Sequence, residues 1–229
     1  MPARVKQDQD HFRKVAVNKR RRRKPALSRK QRSDVLSIVD SKLAQESEKK
    51  YFDAEATDHA LNAGVITDLT PVSQGDGVGA RDGDEINPLF FQVRAALMAP
   101  TVYNSGSSSS QGILYRVLLI QWHPNTAADT PSMADLLENS TNAFSFLNRD
   151  YTKQYRVLYE NRGVLVNSAG NDDSVQHLDF TIPAKQMRKI TFNDSATTGE
   201  DHLYLVCMSS EVTTGPRLIY TSRLGFMDA

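Results

Sequence analysis

Cysteine is nearly absent: Cys207 is the one cysteine in 229 residues. That excludes an intrachain disulfide and any cysteine-rich zinc site. Cys207 sits in the run Leu203-Tyr-Leu-Val-Cys-Met208, where a buried structural thiol is expected. Long hydrophobic runs are also missing. Ala95–Ala99 is five residues long, far short of the roughly 20 that a membrane-spanning helix needs, so no membrane partner is expected. The N-terminus has no apolar stretch of the secretory type. Enzyme signatures are equally scarce. His11, His59, His123, His177 and His202 form neither His-x-His nor the paired-histidine helical zinc motif. No Gly-x-Ser-x-Gly elbow occurs. Gly75-Asp-Gly-Val-Gly79 has no Lys-Ser/Thr after it, so a turn is expected there rather than a phosphate cradle.

What is present is a charge asymmetry. The net charge is +1. Residues 1–32 hold 13 Lys/Arg against Asp8 and Asp10, a net of +11, and the other 197 residues hold 15 Lys/Arg against 25 Asp/Glu, a net of −10. The basic piece points to a polyanion. Arg13, Lys14, Lys19, Arg20, Arg21, Arg22, Arg23, Lys24, Arg29, Lys30 and Arg32 are the candidate nucleic-acid-binding residues. Arginine and lysine neutralise phosphates and release counterions without reading sequence, and an arginine run adds bidentate contacts. No aromatic interrupts Lys19–Lys24, so base stacking is not the mode. A nuclear-import signal is a compatible use of the same block.

Residues 1–32 have few large apolar side chains and are expected to be largely disordered alone. Beyond Pro25, either Ser28 with Gln31 or Ser33 with Asp34 would cap a helix. Val35, Leu36, Val39 and Leu43 recur at helical spacing, which predicts an amphipathic arm helix over about 33–50, with 33–52 as the arm-helix segment. From residue 60 to 229 the pattern is that of a β domain. Eight strands are expected, at about 62–69, 86–98, 112–122, 153–160, 162–168, 175–183, 201–210 and 216–226, with turn residues between them. A short helix fits Ser132-Met-Ala-Asp-Leu-Leu-Glu138. The fold class is therefore all-β, an eight-stranded jelly-roll sandwich with a basic N-terminal arm and a short amphipathic helix. Ile113–Ile120 is apolar on both faces and should be covered on both sides by the opposite sheet and a neighbouring element, or by a neighbouring subunit.

The residues also carry a resemblance. Gln74-Gly-Asp76 followed by Arg81-x-Gly83-Asp84, the strand Tyr115-Arg-Val-Leu-Leu-Ile-Gln-Trp122, then Pro131 and a Leu-Leu helix, Phe146-Leu-Asn148, Gln154-Tyr-Arg-Val-Leu158 and the terminal Asp228-Ala229 occur in an order similar to that of the satellite tobacco necrosis virus-type coat proteins. The resemblance spans most of 60–229. It implies a capsid protein without catalysis, in which about sixty copies close an icosahedral shell around a single-stranded viral genome, DNA or RNA. It implies a virion location, with the host nucleus reached through Lys19–Lys24 in DNA-virus relatives of this type. It also implies calcium between subunits, with Asp76 as a ligand at a threefold axis and the carbonyls of Asp82 and Glu85, with the Asp228 carboxylate, as a second inter-subunit site. Here Asp82 and Glu85 stand where the family has a small hydroxyl and an amide, so pairing with an arginine such as Arg81 or Arg223 is the competing way to neutralise these acids. The alternative class is a cellular nucleic-acid-binding jelly-roll protein with a basic nuclear-targeting tail.

Overall fold

The computed structural model describes residues 28–46, 48–61, 64–99, 112–124, 130–165, 175–211 and 215–228. The chain divides into two units, Met1–Ser47 and Glu48–Ala229. In the first, helix α1 spans Arg29–Glu46. Its start is fixed by a reciprocal cap. The Gln31 amide donates to Ser28 Oγ at 3.2 Å, and the Ser28 amide donates to Gln31 Oε1 at 3.0 Å. Two otherwise orphaned donors are thereby satisfied. This places the helix a turn earlier at both ends than the sequence pattern implied. Val35, Leu36 and Val39 are exposed.

The second unit is a β-sandwich. Its strands are β1 (Lys50–Ala60), β2 (Val65–Asp68), β3 (Glu85–Met98), β4 (Ile113–Trp122), β5 (Tyr155–Leu165), β6 (Val175–Pro183), β7 (Ile190–Phe192), β8 (Gly199–Glu200), β9 (His202–Ser209) and β10 (Arg217–Asp228). Helix α2 is the single turn Met133–Leu136. One sheet runs β1-β10-β3, with β6 and then β7-β8 both paired to the far side of β3; the other runs β2-β9-β4-β5. All pairings between these strands are antiparallel. Setting aside the small β7-β8 hairpin, successive strands cross between the sheets except at β4-β5, which pair within the second, and the eight strands follow the double-Greek-key, or jelly-roll, order.

The strand set differs from the expected eight in three places. Ten strands occur among the described residues. β1 lies where the sequence reading ended a helix and left a connection. Its inward side chains beyond Phe52 are small, Ala54 and Ala56, and alternate with Asp53 and Glu55, so the two-residue period is faint. β5 is one strand, not two joined by a turn at Asn161-Arg-Gly163. The Tyr115 hydroxyl donates to Asn161 Oδ1 at 2.9 Å, and its ring lies so close over Gly163 that a Cβ there would sit 2.9 Å from the Tyr115 oxygen. Asparagine and glycine here receive a tyrosine across the ladder; they do not reverse the chain. β7 and β8 are short and were not foreseen.

Two apolar clusters hold the sandwich. Between the sheets lie Phe91, Leu97, Val117, Leu119, Leu205, Cys207, Leu224 and Phe226. Cys207 is fully buried and its thiol is pushed up by desolvation, as an inert core group should be. On the outer side of the second sheet, Leu118, Ile120, Trp122, Tyr204 and Val206 pack under Leu136 and Leu137. The connection carrying α2 is therefore the cover for the second apolar face of β4, within the same chain. Its position is set by a capping box at Ser132: the Asp135 amide donates to Ser132 Oγ at 3.3 Å, and the Ser132 amide donates to Asp135 Oδ2 at 2.8 Å. Each large side chain buried this way contributes about 1.5–3 kcal/mol. The open edge between β5 and β6 carries a stacked pair, Tyr159 on Phe180, with ring centroids 3.8 Å apart, worth about 0.5–1.5 kcal/mol beyond its area.

The antiparallel order sorts the connections. At one end lie the finishes of β1, β3, β5 and β9 and the starts of β2, β4, β6 and β10. At the other end lie connections 69–84, 123–154 and 184–201, the start of β1 and the finish of β10. β1 thus starts at the end that carries the acidic loop and the finish of β10.

Candidate functional site

Of the candidate nucleic-acid residues, Arg13, Lys14 and Lys19–Lys24 lie outside the described residues. Arg29, Lys30 and Arg32 occupy the first turn of α1, and all three are exposed. Cations at this end oppose the helix dipole, which favours negative charge there.

The acidic segment is gathered by the sandwich end. The loop from Ser73 closes on itself through Arg81: the Gly75 amide donates to the Arg81 carbonyl at 3.0 Å, and the Arg81 amide donates to the Ser73 carbonyl at 3.0 Å. Beyond it, Asp82 meets Asp228 at the end of β10. The Asp82 amide donates to Asp228 Oδ1 at 3.2 Å. Lys50 at the start of β1 completes the junction, its Nζ 2.8 Å from Asp82 Oδ1 and 2.9 Å from Asp228 Oδ2. The Lys50 side chain is 5% exposed. Burial works against its charge, but the hydrogen bonds to Asp82 and Asp228 outweigh it and hold the ammonium above its ordinary value. The hydrogen bond from Lys50 holds Asp82 below the usual carboxylate range. One ammonium therefore ties the first strand, the first long connection and the last strand together.

The other acids are distributed differently. Glu85 pairs with Lys189 at 2.8 Å. Asp84 is 3.3 Å from Arg81. Asp76 is exposed at the loop tip beside Val78 and has no ion pair among the described residues. Arg223 is engaged elsewhere, bidentate to Asp53 at 2.7 Å on both contacts. That pairing holds Asp53 low, the Arg223 hydrogen bond being the main cause. The fold thus brings Asp82 and Asp228 together within one chain and leaves Asp76 and Glu85 apart from them. Among the described residues no three His, Cys, Asp or Glu side chains converge as metal ligands. Within one chain the residues do not fit a calcium centre, because Lys50 occupies the space between the two carboxylates. Sequence reasoning named Arg81 and Arg223 as the competing cations and missed Lys50; no local pattern joins residues 50, 82 and 228.

Lys50→Met is expected to lower the melting temperature at neutral pH, since two adjoining carboxylates lose their counter-charge. Millimolar calcium should then recover part of the loss in the variant and do little for the parent. The pH window follows from the shifts. The depressed Asp82 contributes stability present above the unfolded carboxylate value of about 3.9 and lost as pH falls through its lower folded value. The raised Lys50 contributes stability present below about 10.4 and lost as pH rises through its higher folded value. Melting curves of parent and variant should therefore converge in strong acid and in strong alkali. A constant difference at every pH would remove the ion pair as the cause.

Arg81 itself is fully buried. Its Nε donates to the Val72 carbonyl at 3.3 Å, Nη1 to the Gly83 carbonyl, and Nη2 to the carbonyls of Asp194 and, at 2.8 Å, Ala196. The guanidinium carbon lies 4.2 Å from the Phe192 ring centroid. The β7-β8 hairpin that it grips is tight: a Cβ on Gly199 would fall 1.9 Å from the Thr191 carbonyl oxygen. Arg81 is a fastening between the acidic connection and this hairpin, not a cation left free for a neighbouring chain.

These features define a double-Greek-key β-sandwich with a cationic arm. No family model matches the chain, and no curated protein matches it. Among solved structures, it is similar to a chain of the T13 viral particle of infectious bursal disease virus, with 10% identity over 80% of this chain and a TM-score of 0.25. It is similar also to the VP2 subviral particle of the same virus, with 10% identity over 79% of this chain and a TM-score of 0.26. This chain spans 40% and 42% of those chains.

Proposed function

We propose that the chain is a structural coat protein, without catalysis, that assembles with copies of itself into a small icosahedral shell and packages single-stranded viral nucleic acid through residues 1–32. The observation that carries this reading is the union in one chain of a jelly-roll sandwich with an N-terminal segment of net charge +11. The −10 on the rest of the chain is the opposite sign from the arm, so the charge that condenses a polyanion is confined to one segment. Phe146 and Val78, 79% and 75% accessible, are large apolar side chains on connections, where a neighbouring copy would cover them. Lys19–Lys24 would also serve as an import signal for a genome handled in the nucleus. Calcium between copies would have to displace Lys50 from Asp82 and Asp228, or draw on Asp76 and on carbonyls from other chains.

Electron microscopy of the expressed protein is the test, with size-exclusion elution and the absorbance ratio that reports nucleic acid. The expected result is closed particles eluting at the void and carrying nucleic acid. A small oligomer that binds nucleic acid without closing would favour a cellular binding protein with a basic nuclear-targeting tail. Chelator should swell or loosen the particles where calcium bridges the copies, and leave them unchanged where Lys50 alone neutralises the acids.

A further inference from the structure

A second concentration of cations lies away from the arm, on a body that is otherwise acidic. At the junction of β4, β5 and β9 there is a cavity of about 250 Å³ whose lining includes Lys153, Arg156, Arg188 and His123. Its floor is built. Gln121 is 1% exposed, and its side chain clamps two backbone segments: Nε2 donates to the carbonyls of Arg188 at 3.0 Å and Asp201 at 2.8 Å, while Oε1 accepts from the Arg188 amide at 2.8 Å. The wall opposite is pinned by the His123 amide, which donates to the Gln154 carbonyl at 2.6 Å. Asp201 is held at φ 59°, a left-handed conformation uncommon outside glycine, and strain of this kind persists where the surroundings over-determine it.

The one carboxylate lining the cavity, Asp201, is already engaged. Asp201 Oδ2 lies 3.3 Å from His123 Nδ1, and Oδ1 lies 3.5 Å from Arg188 Nη1. Glu200 is 3.7 Å from the same histidine nitrogen. Burial pushes the Asp201 carboxyl up, against the opposing pull of His123 and Arg188, which weakens its repulsion of an incoming anion. Lys153 and Arg156 have no ion pair or side-chain hydrogen bond among the described residues. The lining therefore includes three permanent cations against one compensated carboxylate. Its volume equals that of about eight liquid waters, room for a tetrahedral oxyanion and its attached group.

We infer that this cavity is a binding site for a phosphate-type oxyanion, held by Lys153, Arg156 and Arg188. Arg156 and Arg188 offer the planar forks suited to paired phosphate oxygens, and Lys153 acts as a point charge. The phosphate comes either from a free phosphate or from the backbone of the bound nucleic acid, and these differ in salt dependence.

The test uses the full chain and the variant Lys153→Ala/Arg156→Ala, both positions being exposed and remote from the core. Inorganic phosphate is titrated and followed by amide chemical shifts or calorimetry, with Lys185→Ala as a control outside the cavity. Saturable binding that weakens about tenfold or more in the double variant and not in the control is the expected result. A short oligothymidylate titrated over a salt series then separates the sources. A log–log salt slope reduced by about 1 in the double variant assigns the site to a backbone phosphate, at about 0.7 per contact for single strands. An unchanged slope assigns it to a free oxyanion. Phosphate binding that is absent, or equal in parent and double variant, overturns the proposal and leaves the coat-protein reading untouched.

Discussion

Deleting residues 1–32 is expected to leave a folded β-sandwich whose particles hold little nucleic acid. Among the described residues all the buried core side chains belong to Glu48–Ala229, so the core on which the sandwich rests is retained. It removes 13 Lys/Arg and two Asp. With about sixty arms of +11 each, a shell encloses roughly 660 positive charges, enough to balance a strand on the order of a kilobase. What remains has a net charge of −10 per copy, which repels a polyanion. The affinity should also be steeply salt-dependent, because each neutralised phosphate of a single strand adds about −0.7 to the log–log slope. Replacing Arg20–Arg23 with alanine should flatten that slope by about 3, four contacts' worth, without changing the fold. The absorbance ratio of purified particles and the length of extracted nucleic acid are the measurements. Truncated particles carrying as much nucleic acid as the full chain would remove the arm as the packaging element.

The parts of the fold legible in the sequence are those where a local signal is strong. β3, β4, β6, β9 and β10 fall within two residues of their expected bounds, because branched and aromatic residues are concentrated there, in continuous runs in β4 and β9, and turn residues flank them. The box at Ser132 is a four-residue pattern and readable for the same reason, whereas Ser28 was one of two possible caps and the expected bounds of 33–50 followed the other. β1 was not readable, since alanines give little contrast against Asp53 and Glu55. The count of eight long strands agreed with the fold only because one strand was missed and β5 was divided. The candidate site was legible as a composition, acids in one loop and cations in one arm, and illegible as a geometry. Lys50 reaches Asp82 and Asp228 across 32 and 178 positions of sequence; antiparallel register, not spacing, delivers that meeting. The cavity beside Gln121 was invisible for a similar reason, because its residues come from four separate segments.

Arg81→Ala is expected to be the most damaging single substitution in the acidic connection. The guanidinium is fully buried and satisfies four carbonyls, those of Val72, Gly83, Asp194 and Ala196. Deleting it strands those acceptors without water, leaves Asp84 without its partner at 3.3 Å, and removes the cation from the face of Phe192. Breaking a buried charged network by removing one partner costs about 3–5 kcal/mol. For a domain of this size each kcal/mol moves the melting temperature by about 2–4 °C, so a fall of roughly 6–20 °C is expected. Arg81→Lys should recover less than half of it. An ammonium keeps the charge but is a single point with three donors, and it cannot reach two loops at once as the planar fork does. The lysine variant also keeps the measurement informative where the alanine variant fails to fold. Limited proteolysis offers a local readout, since cleavage within 69–84 and 190–200 should rise together when the fastening is cut. A melting temperature within about 1 °C of the parent for both variants, or cleavage confined to one of the two segments, would show that Arg81 does not join them.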